Sequence, residues 1–81
     1  MKSEKKLHFG VEAVARIANL LQEGLLFERN IVEDLRALEL VEVQDEGDEK
    51  TYLVLSEDYL KSLPESATKA MKDFIELDDL N

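Results

Sequence analysis

Between Val11 and Leu26 apolar residues crowd the chain: Val11, Ala13, Val14, Ala15, Ile17, Ala18, Leu20, Leu21, Leu25 and Leu26. At 3.6 residues per turn they form a band far wider than the stripe of about 100° that a helix needs to cover one core. Of the polar interruptions, Glu12, Arg16, Asn19 and Glu23 fall at steps of four, three and four, which predicts one narrow solvent edge. The pattern therefore predicts a helix buried on two sides. Gly24 is the expected stop, because glycine takes the left-handed conformation of a helix C-cap without penalty. Leu25 to Phe27 would then be a connector or a short strand.

Further on, Asn30 with Glu33 three residues later has the spacing of a capping box. Ile31, Leu35 and Leu38 follow at i, i+4 and i+7, which predicts a second helix ending near Leu40. Val41 to Gln44 alternates apolar with polar, and Thr51 to Leu55 is rich in strand formers. Between them Asp45, Glu46, Gly47, Asp48 and Glu49 read as a hairpin turn. If Val41 and Val43 face the core, Leu53 and Leu55 should join them, leaving Tyr52 and Val54 on the opposite face for a third strand, another helix or a partner to cover. Ser56 is placed to cap a short helix, Glu57 to Ser62. Ser62 and Glu65 repeat the capping spacing around Pro64. The last helix should reach about Leu77, with Ala67, Ala70, Met71, Phe74 and Leu77 on one face.

The expected class is thus α+β, mostly helical with one β-hairpin. At 81 residues the chain has room for a single domain, 1–81, with 1–6 and 79–81 expected to fray. Hydrophobic residues make up 44% and charged residues 36%, too apolar a mixture for disorder. The net charge is −9; the stretch Met1 to Lys6 is locally +2, which leaves −11 on the rest. Nucleic-acid affinity comes largely from cations neutralising phosphates, so this field argues against nucleic acid and, where charge decides, for a basic protein partner.

Candidate chemistry is sparse. Without cysteine there are no disulfides, thiolate metal sites or cysteine nucleophiles. His8 stands alone, short of the four or so groups zinc wants. Gly10, Gly24 and Gly47 are too far apart to cradle a phosphate. The serines lack a nucleophile elbow, and the acids of the turn are packed too tightly for a calcium loop of about 12 residues. No convergent set of acid, base and nucleophile emerges, so neither enzyme activity nor a cofactor is expected. The first ten residues carry no apolar core of a signal peptide, and no run approaches the roughly 20 apolar residues of a membrane span. A cytoplasmic location without membrane attachment is the expectation.

The segment from Ile31 to Leu63, closest at "LRALELVEV" (Leu35 to Val43), resembles the recognition helix, wing and following helix of winged-helix regulators. That resemblance implies a small winged-helix-like domain. The sequence departs from the family in two ways. Only two helices fit between Val11 and Leu40 where the family has three. The positions matching the outer face of the recognition helix are Glu33, Asp34, Arg36 and Ala37, of which only Arg36 could donate to a base edge or phosphate. The ribbon tip is acidic where a DNA-reading wing is normally basic.

Three functions are compatible with this pattern. The leading one is a non-catalytic protein-interaction or regulatory module, acting as a homodimer or within a larger complex, because too much of the first helix is apolar for so small a core to cover. Its candidate contacts are Val14, Ile17, Leu20, Leu21 and Leu25, together with Asp45, Glu46, Asp48 and Glu49 for a basic partner. The alternatives are a DNA-binding winged-helix regulator using Lys2, Lys5, Lys6 and the helix from Asn30, and a small acidic chaperone for a basic client.

The acidic turn separates two of its own roles. If it is only a solvated loop, converting Asp45, Glu46, Asp48 and Glu49 to their amides leaves the denaturation free energy within about 0.5 kcal/mol of the parent. If it docks a basic partner, the same variant associates several-fold more slowly and with a flatter salt dependence, measurable by stopped flow at two ionic strengths.

Overall fold

The structure is a computed structural model. It describes residues 6–47 and 49–79, the side chains of 78 and 79 excepted. The element order is β1 (Leu7–Phe9), α1 (Val11–Phe27), α2 (Val32–Arg36), β2 (Leu40–Asp45), β3 (Lys50–Leu55), α3 (Glu57–Ser62) and α4 (Glu65–Asp79). The fold is α+β and mostly helical. The two longer strands form a β-hairpin, and β1 joins them to make one sheet in the order β1-β3-β2.

β1 was not foreseen. Three residues are too few to show a period, and what holds them is distant: β1 pairs parallel to β3, Leu7 to Thr51 and Phe9 to Leu53. At Gly10 the chain passes straight from strand to helix, its N–H donating to the Leu53 carbonyl at 2.9 Å. A Cβ there would stand 2.9 Å from Val54 Cγ1, so a side chain at this crossing would have to displace Val54.

α1 does not stop at Gly24. It continues three residues further to Phe27 and ends on Glu28, whose φ of 51° is left-handed. Gly24 serves closeness rather than termination, since a Cβ on it would lie 3.3 Å from both Ile31 Cγ2 and the Arg29 carbonyl. Leu25 to Phe27, expected as connector or strand, are the last turn of this helix. The following loop is clamped by Arg29, which bridges Glu23 at 3.2 Å and Asp34 at 2.8 Å.

α2 is shorter than the helix expected to run to Leu40. Its N-cap is Ile31, without a side-chain cap, rather than Asn30; Asn30 stands one residue earlier, where its side chain accepts from the Val32 N–H at 3.0 Å in a local turn. The sheet ends it, because the Glu39 carbonyl accepts from the Ser56 N–H at 2.9 Å and the chain from Leu40 is drawn into β2. Ser56 caps α3 by accepting from the Tyr59 N–H at 3.1 Å and also donates to Glu39. Ser62 does not open α4; its hydroxyl donates to the Tyr59 carbonyl at 2.6 Å and so closes α3. Leu63, before Pro64, is extended, as proline requires of its predecessor. α4 runs to Asp79 rather than Leu77. Of the residues expected to fray, Asp79 is thus helical, while 1–5 and 80–81 lie outside the described residues.

The hairpin register corrects one expectation. Val41 lies opposite Val54 and Val43 opposite Tyr52, while Leu40 lies opposite Leu55. Residues directly opposite share a face, so Val41 and Val43 turn away from the core together with Tyr52 and Val54. Leu40 and Leu55 turn toward it. The core consists of Ala13, Ala15, Leu55, Tyr59 and Met71, bordered by Leu38, Leu40, Leu60, Leu63, Phe74 and Ile75. Leu20, at 0% exposure, is its most enclosed large side chain.

Two leucines of α1 report on this arrangement. Leu20→Ala removes packing with no solvent to refill it and is expected to cost about 2–5 kcal/mol. Leu25→Ala, at a site 83% exposed, should change the stability of the dilute monomer by less than about 0.5 kcal/mol. Urea titrations at low micromolar concentration check both.

Candidate interaction surface

The setting of α1 about its own axis decides what the surface looks like. Arg16 is 7% exposed and Asn19 4%, although both were expected on the solvent edge. Glu12 is exposed and Glu23 half-buried. Arg16 donates from Nε to the Tyr59 hydroxyl at 2.9 Å and from Nη1 to Asn19 Oδ1. No buried side-chain polar atom among the described residues lacks a partner, so the cost of burying this cation is offset by hydrogen bonds. Among the described residues no carboxylate lies within ion-pair distance of Arg16, unlike Arg29, which pairs with Glu23 and Asp34.

With that polar edge turned inward, the opposite edge of α1 turns outward. It carries Val11, Val14, Ala18, Leu21 and Leu25, spaced three, four, three and four, the repeat of a coiled-coil seam. At 100° per residue these positions span a sector of about 80°. Val11 and Val14 are 51% exposed and Leu21 52%. The flanking positions are Ala15, Ile17, Gln22 and Gly24, all uncharged. At the far end Leu25, Leu26 and Phe27 are all exposed, and at 100° per residue they point in three different directions.

Beside the first half of this seam lies a groove of about 440 Å³, walled by Phe9 of β1, by Val11, Val14, Ala15 and Ala18 of α1, and by Phe74 and Ile75 of α4. Phe9 belongs to the strand that sequence periodicity missed, and it shares the groove with α4 only because β1 is held at the edge of β3.

The candidate residues separate accordingly. Val14, Leu21 and Leu25 are on the exposed seam and Ile17 flanks it, half-buried. Leu20 is enclosed in the core and presents no surface. Asp45, Glu46 and Glu49 are exposed at the hairpin tip, where Asp45 accepts from the Gly47 N–H at 2.8 Å; Asp48 lies outside the described residues. Val11, Ala18, Phe9, Phe74 and Ile75 complete the surface and were not among the candidates. The 3-4-3-4 spacing would have singled out Val11 and Ala18, whereas nothing local singles out the other three.

No group of acidic or histidine side chains able to hold a metal ion occurs among the described residues. None of their helices is long and apolar enough to cross a membrane. No protein-family model, curated protein or solved structure matches the chain.

The Arg16–Tyr59 contact can be tested alone. Tyr59→Phe keeps the ring but leaves a buried guanidinium N–H without its acceptor, a loss of about 1–3 kcal/mol. The midpoint of urea unfolding should fall while the m-value stays constant.

Proposed function

We propose that this protein is a non-catalytic interaction module that works by associating with a second copy of itself through the exposed face of α1. The carrying observation is the seam of Val11, Val14, Ala18, Leu21 and Leu25, aliphatic throughout and without a charge at its flanks, on a chain of net charge −9. Two copies so charged repel over most approaches, and the seam is where that repulsion is weakest. A basic partner would gain little there, since no carboxylate on the seam would meet its cations.

The exposed parts of Phe9, Val11, Val14, Leu21 and Leu25 come to on the order of 500 Å² per copy, below the ~800 Å² per partner of a standard interface. Removing such side chains from water is worth about 25 cal/mol per Å² before the cost of association.

Sedimentation equilibrium tests the proposal. The parent protein should show twice the 9.3 kDa chain mass at concentrations of about 100 μM, in the range of a modest interface. Leu21→Glu and Leu25→Glu, each placing a charge on the seam at an exposed site, should return it to the single-chain mass with an unchanged circular dichroism spectrum. A parent protein that stays monomeric at that concentration overturns the proposal.

A further inference from the structure

We infer that the two copies pair with their α1 helices antiparallel, across a two-fold axis passing beside Ala18, so that Leu25 of each is seated in the groove next to Val11 of the other. This rests on the self-association proposed above and gives it a geometry.

The seam is built around its midpoint. Val11 and Leu25 each lie seven residues from Ala18, about 10.5 Å along the helix at 1.5 Å per residue. Reversing α1 about Ala18 therefore brings Leu25 of one copy level with Val11 of the other. Leu21 comes level with Ala15, between Val14 and Ala18, as a knob entering a hole. A two-fold interface must carry projection and recess on the same patch, and α1 carries both. The projection is its C-terminal turn, where Leu25 is 83% exposed. The recess is the groove of about 440 Å³ beside its N-terminal half, which has room for more than one aliphatic side chain.

The crossing point is also the narrowest part of the seam. Ala18 projects only a methyl group and Ala15 beside it is buried, so two helix axes can approach to the 8–10 Å usual for packed helices. A parallel pairing would set Leu25 against Leu25 and groove against groove, leaving the projections without recesses. It would also align the two helix dipoles, which the antiparallel arrangement opposes.

Absence of cysteine from the chain allows a direct test by oxidation of single-cysteine variants at about 100 μM, since a disulfide forms readily only when the Cα atoms come within about 7 Å. Ala18→Cys should give a covalent dimer at least roughly tenfold faster than Val11→Cys or Leu25→Cys alone, because each of those stands about 20 Å from its own copy. An equimolar mixture of Val11→Cys and Leu25→Cys should give the mixed dimer, identified by mass, in preference to either self-pair. The mixed-pair result does not depend on how Ala18→Cys folds. If the parent dimerises but Leu25→Cys crosslinks to itself faster than the mixture does, the antiparallel geometry is overturned and self-association survives. If the parent is monomeric and no variant crosslinks above its rate in denaturant, both fall together.

Discussion

The Nε–H of Arg16, donated to the hydroxyl of Tyr59 at 2.9 Å, ties α1 to α3 across 43 residues of sequence and fixes how α1 is turned about its axis. A helix this apolar could bury nearly any of its faces at similar gain, because hydrophobic burial is non-directional. A buried guanidinium cannot be placed so freely: it must find acceptors, and Tyr59 and Asn19 supply them. Once Arg16 points inward, Ala13, Ala15 and Leu20 follow it into the core, and Val11, Val14, Leu21 and Leu25 are left outside.

That orientation explains why the core is built from small side chains. Three of the seven buried hydrophobics among the described residues are alanines, so α1 approaches the sheet and α4 closely, yet little aliphatic area is consumed on its inner face. The larger residues of the helix remain available to something else. A chain with a core this slight would gain stability by sharing its surface, since small domains bury a smaller fraction of what they expose when unfolded. Under the pairing inferred here, the face left open by an internal polar contact becomes the surface on which a second copy completes the structure.

The sheet repeats the same theme on a smaller scale. Its register turns Leu40 and Leu55 inward and sends Val41 and Val43 outward, so this face also holds apolar side chains that the chain does not cover. On β2 the exposed valines alternate with Glu42 and Gln44 and lead to Asp45, and charged side chains on an edge strand discourage edge-to-edge pairing. The seam of α1 has no such protection: its flanks are alanine, isoleucine, glutamine and glycine. This contrast separates a surface guarded against association from one open to it.

Local chemistry by itself determined a good deal. The α+β class, the two hairpin strands, the turn between them, the cap at Ser56 and the extent of α3 were all legible, because each depends on residues within a few positions of one another. The excess of apolar surface on α1 was legible too, since it depends only on composition and helical period. Which of that surface faces out was not. Polar Arg16 and Asn19 were assigned to solvent by the rule that polar means exposed, and only the distant Tyr59 makes their burial favourable. The 3-residue strand β1, the register that turns Val41 outward and the groove joining Phe9 to Phe74 were likewise decided by the tertiary structure. Each rests on a contact between segments far apart in the chain, and neither residue type nor period carries information about which distant segment will arrive.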